Sequence, residues 1–190
     1  MTGVSAPNDP APAAPDPAHT SAPAAPDPAH TSAPAVPLPA IRPATPEDAG
    51  ALAELFWQVR TESVPSIPMI VHPRESVLPF VETVLLREFE VWVAQDDDTL
   101  VGFLALMPPD QLGHLYITSG FTGRGLGTQL LGLAKTRFPD GLQLWAFQSN
   151  EGALRFYERH GFEPVEWTEG ENEEQAPDVR MVWKPSATGG

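Results

Sequence analysis

The sequence predicts an α/β fold: a mixed sheet flanked by helices, behind an N-terminal extension of different character. Three observations point there. From residue 38 onward, runs of β type and runs with helical spacing follow one another in the order βααβββαβαββ. A Gly-rich turn, Gly120 to Gly127, stands between a strand run and a helix run. Residues 1–40 hold eleven of the 23 prolines and no Lys, Arg or aromatic residue. Such a segment has too little apolar surface to offset the entropy of ordering it, so a disordered tail is expected over 1–37.

That tail repeats itself. Residues 14–24 read APDPAHTSAPA and residues 25–35 read the same. An 11-residue Pro/Ala unit without apolar periodicity cannot stack into a core, and it reads as a polyproline II-like spacer. Its His19 and His30 invite a metal reading, but two His in a flexible segment make a poor site, and no metal is expected.

The domain is expected over 38–185, with a short disordered terminus over 186–190. A strand is predicted over 40–45. Thr45-Pro46-Glu47-Asp48 then opens a helix with an N-cap, Pro at the first position and early acids. Leu52, Leu55, Phe56 and Val59 form its apolar stripe. Pro65, Pro68 and Pro73 break the next stretch. A second helix follows over 74–88, with Val77, Phe80, Val81, Val84 and Leu85 on one face. Two strands, 90–95 and 99–107, flank the acidic turn Asp96-Asp97-Asp98. A strand over 111–118 leads into the Gly-rich turn, and the helix behind it runs to about 138. A strand over 142–147 and a helix over 151–160 come next, with Gly161 as a left-handed C-cap. Strands over 162–168 and 178–184 close the domain around a polar loop.

Composition excludes several chemistries. There is no Cys, so disulfides, Cys-ligated zinc and a thiolate nucleophile are out. No run of about 18 apolar residues exists to span a membrane. The N-terminus lacks the basic and apolar regions of a secretory signal, which makes the cytoplasm the expected compartment. The formal net charge is -14, of which the tail contributes only Asp9, Asp16 and Asp27. An acidic surface repels nucleic acid and anionic lipid and favours cationic partners such as amines. An anionic cofactor must then be held by local geometry, against the global field.

The Gly-rich turn is the strongest local signal. Gly lets backbone approach a ligand, and the first amides of a helix point outward as unpaired donors at the positive end of its dipole. Arg124 adds a fixed charge. No Gly-Lys-Ser/Thr follows, so this is not a Walker loop, and Gly123-x-Gly125-x-Gly127 is not dinucleotide spacing. A pyrophosphate site and a tight strand-to-helix turn both fit. Downstream, Ala153, Phe156, Tyr157 and His160 share one helix face. Tyr157 reads either as a core aromatic or as a proton donor towards a leaving group.

Together these runs resemble the cofactor-binding half of the GCN5-related N-acetyltransferases. Gly125 and Gly127 match that family's Gln/Arg-x-x-Gly-x-Gly/Ala turn. Asn150, Ala153, Phe156, Tyr157, Gly161 and Phe162 match its second motif. Ile41-Arg42 with Thr45-Pro46-Glu47-Asp48 resembles its opening. Thr122 departs from the pattern by standing in the Gln/Arg slot, where a neutral contact is weaker than a charge-assisted one.

The resemblance implies a sheet splayed between the strands at 111–118 and 142–147, and acetyl transfer from acetyl-CoA to a primary amine in a ternary complex. The partner is a small-molecule or peptide amine, with a homodimer left open and no nucleic acid or membrane. A non-catalytic acyl-CoA sensor is the rival. It implies that Thr122, Gly123, Arg124, Gly125, Leu126, Gly127 and Thr128 cradle the pyrophosphate. Tyr116, Ile117 and Thr118 pair with the pantetheine arm, and Asn150 bonds the same arm. Tyr157 serves as general acid. For the general base His114 is the first candidate, on the face it shares with Tyr116 and Thr118, against the reading of a simply packed His. Glu173 and Glu174 are the next candidates, as acids reaching over the cleft towards a cationic substrate. Trp145 and Phe147 either line the acceptor pocket or pack in the core.

Overall fold

Residues 38–185 are described by the computed structural model. The expected tail, its repeat and the 186–190 terminus lie outside them. Strand β1 (Ala40–Pro43) leads to a 3-10 turn at Pro46–Asp48 and helix α1 (Ala49–Glu62). At that entry Asp48 accepts hydrogen bonds from the Thr45 amide (2.8 Å) and from both Arg42 Nη atoms (2.8 Å each). Motif and structure therefore agree on where α1 begins.

The second helix, α2, is one continuous but irregular run. It passes from a 3-10 turn (Arg74–Ser76) through an α-helical turn (Val77–Phe80) and a π-helical stretch (Val81–Leu85) to a last turn (Leu86–Glu88). Pro79 sits within it and has no N–H to donate back to the first turn. The Thr83 hydroxyl donates to the Pro79 carbonyl at 2.7 Å, a back-bond that accompanies bent helices.

Strands β2 (Glu90–Asp96), β3 (Thr99–Met107) and β4 (Gln111–Ile117) form an antiparallel meander with β1. Asp97 takes the left-handed conformation (φ 48°) that closes the tight turn between β2 and β3. Then come α3 (Leu126–Arg137), β5 (Leu142–Phe147), α4 (Glu151–Arg159), β6 (Phe162–Thr168) and β7 (Asp178–Trp183). The sheet order is β1-β2-β3-β4-β5-β7-β6. Every neighbouring pair is antiparallel except β4 and β5.

Each face of the sheet carries its own core. α1 and α2 cover one face, where Leu52, Phe56, Val81 and Leu85 meet Val93, Phe103 and Tyr116. α3 and α4 cover the other, where Leu126, Leu130, Phe156 and Tyr157 meet Leu104, Leu115, Leu144 and Met181. Each large apolar side chain buried this way contributes about 1.5–3 kcal/mol. No helix among the described residues is long and apolar enough to cross a membrane.

Candidate active site

The sheet opens in its middle. β4 and β5 share one register pair, Gln111 with Gln143, supported by the Gln143 amide donating to the Asp110 carbonyl at 2.9 Å. Beyond that point the strands diverge, as expected for the splay. The β3 side of β4 stays paired along its length apart from one bulge, and Thr118 still donates its amide to Val101 O at 2.9 Å. The β5 side of β4 between Leu112 and Ile117 is therefore a sheet edge inside the molecule, ready to take an extended ligand as an added strand.

A bulge shapes this strand. The β3–β4 register shifts between Ala105 and Leu106, opposite Gly113. A Cβ there would lie 2.5 Å from Phe89 Cε1, so any side chain would have to displace the Phe89 ring. After the bulge His114 and Tyr116 point to the α1–α2 face, whereas Leu112 belongs to the other core.

At the C-terminal end of β4 the chain makes a 3-10 turn (Ser119–Phe121) that the sequence did not suggest, and then enters the Gly-rich segment. The Thr122 hydroxyl donates to Ser119 O at 2.9 Å, so this side chain is committed to the turn. Gly123 (φ 72°) and Gly125 (φ 90°) take left-handed conformations, and Gly125 is the N-cap of α3. Space beside Gly125 is open, with no heavy atom within 4 Å of where a Cβ would sit. Among the described residues, no turn or loop hydrogen bond uses the amides of Gly123, Arg124 or Gly125. The amides of Leu126, Gly127 and Thr128 belong to the first turn, which has no intrahelical acceptors. Six successive residues thus present donors at the positive end of a 12-residue helix. Arg124 lies over the Phe121 ring at 5.1 Å, which holds its charge beside the turn. The site fits a pyrophosphate.

Asn150 caps α4. Its Oδ1 accepts from the Ala153 amide at 3.1 Å, which fixes the side-chain orientation and leaves the Nδ2 hydrogens facing away from the cap. Tyr157 is fully buried between Phe156 and Phe162, with ring centroids at 5.3 and 5.5 Å. It shares one core with Ile117 and Leu126, so the ends of β4, α3 and α4 meet around it. Two contacts join α4 to α3. Thr128 Oγ1 lies 3.2 Å from His160 Nε2, and Lys135 Nζ donates to His160 O at 2.5 Å. Lys135 also sits over the Trp183 ring at 4.5 Å, and burial lowers its pKa. No pattern in the sequence singles out Lys135.

His114 stands elsewhere. It is 5% exposed and surrounded by Phe56, Phe80, Phe89, Phe103 and Tyr116, at 5.5 to 6.2 Å between ring centroids. Tyr116 is fully buried in the same cluster, with its hydroxyl near Arg60. Burial pushes that hydroxyl's pKa up, and the Arg60 guanidinium opposes the shift. Glu174 accepts from Arg60 Nη2 at 2.7 Å, and Glu173 meets His72 Nε2 at 2.7 Å. Both acids are paired with side chains of their own chain, a fate their place in an acidic loop did not reveal. Phe147 is buried, with the Arg60 guanidinium 6.0 Å above its ring, while Trp145 is half-buried. Arg60 was not anticipated either. The available signal was an Arg on the same stripe as Leu52, Phe56 and Val59, where a charge is out of place unless something pairs it.

Comparison with known proteins agrees with this geometry. Residues 87–164 match the family model of the acetyltransferase (GNAT) domain. The peptidyl-lysine N-acetyltransferase YiaC of Escherichia coli strain K12 is 29% identical over 145 residues, covering 75% of this chain and 95% of that protein. A GCN5-related N-acetyltransferase from Rhodopseudomonas palustris shares the fold with a TM-score of 0.63 at 22% identity, over 83% of this chain and 100% of the other. The PaiA N-acetyltransferase of Thermoplasma acidophilum, solved in complex with coenzyme A, gives 0.60 at 20% identity, over 77% and 98%. The splayed sheet and the Gly-rich helix start lie in the region matched to the GNAT acetyltransferase domain, and the described residues share the fold of these N-acetyltransferases.

Proposed function

We propose that this chain transfers an acetyl group from acetyl-CoA to the primary amine of a small molecule or peptide, by direct attack in a ternary complex. One observation carries the reading. The open edge of β4 and the unpaired amides at the start of α3 follow one another along the same mouth of the splay. A pyrophosphate on those amides leaves the attached arm to run along Tyr116, Ile117 and Thr118 as an added strand. Asn150 Nδ2 is assigned to that arm, and the use of its Oδ1 by the Ala153 amide supports the assignment.

The thioester supplies an activated acetyl group, and the protein's own residues orient it and manage protons. Tyr157 is assigned the proton that the departing sulfur takes as the carbon–sulfur bond breaks. Its burial keeps water from competing for that proton. His114 is assigned to packing, because it is 5% exposed and surrounded by five aromatic rings. The amine then loses its proton to water or to a group that the acceptor itself organises.

Full burial of Tyr157 and the packed His114 favour a second reading, a protein that binds acyl-CoA without turnover. Thiol release from acetyl-CoA separates the two. With a lysine-containing peptide as first acceptor, after the substrate named for the Escherichia coli relative, release above the hydrolysis background supports transfer. Tight acetyl-CoA binding without release, across lysine peptides, free amino acids and polyamines, would leave only the sensor.

A further inference from the structure

Arg60 is the least expected charge in the molecule. It projects from the apolar stripe of α1, is 5% exposed, and reaches parts of the fold that are far apart in sequence. Its Nη2 donates to Glu174 Oε1 at 2.7 Å and to Pro68 O at 3.4 Å. Its guanidinium lies 6.0 Å above the Phe147 ring at the end of β5, and it is electrostatically coupled to the Tyr116 hydroxyl near the end of β4. Tyr116 and Phe147 stand five and four residues beyond the Gln111–Gln143 pair, on the two strands that diverge. The guanidinium thus spans the open end of the splay on the α1 side and fastens there the loop between β6 and β7.

That loop is built to be held. Asn172 Nδ2 donates to Ala176 O (2.7 Å) and Asp178 Oδ2 (2.9 Å), and Asn172 Oδ1 accepts from the Ala176 amide (3.1 Å). Glu173 pairs with His72, and the Ser149 hydroxyl donates to Ser66 O at 2.9 Å, so the Pro-rich segment after α1 is fastened to the same mouth. An unpaired Glu174, 12% exposed, would have to swing out to be solvated. Arg suits this buried position better than Lys, because its guanidinium is more weakly hydrated than an ammonium and stays charged when buried.

We infer that Arg60 is a positioning residue, which through Glu174 seats the β6–β7 loop against the open end of the β4–β5 splay and so forms the wall that orients the amine acceptor. The inference rests on the transferase reading for its consequence in catalysis, but not for the strut itself. It predicts a split: losing Arg60 harms use of the acceptor and spares the cofactor.

Three variants test it, Arg60→Met, Arg60→Lys and Glu174→Gln, each compared with the wild type by three readouts. These are hydrogen exchange of the Gln175 and Ala176 amides, the dissociation constant for acetyl-CoA, and kcat and KM for a lysine-containing peptide. Losing a hydrogen bond to a charged partner corresponds to a change of about tenfold or more. In Arg60→Met and Glu174→Gln the two amides should exchange about tenfold faster and the peptide KM should rise about tenfold, with the acetyl-CoA constant within about twofold. Arg60→Lys should fall between, and carries the test if Arg60→Met does not fold. Unchanged exchange in the folded variants overturns the strut. Faster exchange with an unchanged peptide KM overturns the acceptor wall. Failure of the wild type to bind acetyl-CoA would instead defeat the transferase reading, and the exchange measurement would still decide on Arg60.

Discussion

Tyr157 and Asp48 show how differently single residues report on this protein. The Tyr157 hydroxyl is assigned a proton transfer, while its ring is a packing element between Phe156 and Phe162. Tyr157→Phe keeps the ring and removes the proton, so kcat should fall about 10–1000-fold while acetyl-CoA binding changes little. Steady-state kinetics beside a binding titration checks both halves, and unchanged kcat would take Tyr157 out of the mechanism. Asp48 is a matter of stability. The Arg42 guanidinium holds its carboxyl down at about 2. A depressed pKa in the folded state stabilises above the ordinary aspartate range, and the benefit fades as pH falls from about 4 to about 2. With Arg42 well exposed and screened, the pair contributes about 1 kcal/mol. Asp48→Asn should therefore lower stability by about that amount at pH 7, and the difference from wild type should shrink towards pH 2 in urea unfolding. At this scale the sequence showed residues whose type announces a task, such as Gly125, Asn150 and Tyr157. Arg60 and Lys135 were hidden, because their partners Glu174 and His160 are brought to them by the fold.

Elements were legible where a period or a cap marks them. α1 begins where Thr45-Pro46-Glu47-Asp48 requires, and α3 begins after the left-handed Gly125. The π-helical stretch of α2 escaped notice because it keeps the apolar face of an α-helix while changing its hydrogen bonds. The bulge at Gly113 likewise leaves no pattern, since one Gly inside a strand has several readings. The start of α3 makes the sharpest claim. At φ 90° any side chain at Gly125 is strained, by about 1–2 kcal/mol, although space beside it is open. Gly125→Glu adds a like charge where a pyrophosphate would sit. The variant should melt a few degrees lower and lose acetyl-CoA binding in a calorimetric titration. Retained affinity would mean that the turn is structural only.

At the scale of the molecule, the order βααβββαβαββ and the splay between two named strands were both readable, and both are present. What the linear pattern could not show is how the acceptor side is built. The proposed acceptor side rests on three contacts between segments up to 114 residues apart: Arg60 with Glu174, His72 with Glu173, and Ser149 with Ser66. The acidic balance, -14 over the whole chain, means that the proposed anionic cofactor would have to be held against the global field by one local nest of amides. Cofactor binding is thus the property on which the transferase reading stands. The most direct test is thermal melting of the full chain with and without acetyl-CoA, with NADH and ATP as controls. Saturating acetyl-CoA at about 100 times its dissociation constant should add about 2.7 kcal/mol and raise the melting temperature by several degrees, with no comparable shift from the controls. No shift at saturating acetyl-CoA, or an equal shift with NADH or ATP, would contradict a dedicated acyl-CoA site at the start of α3.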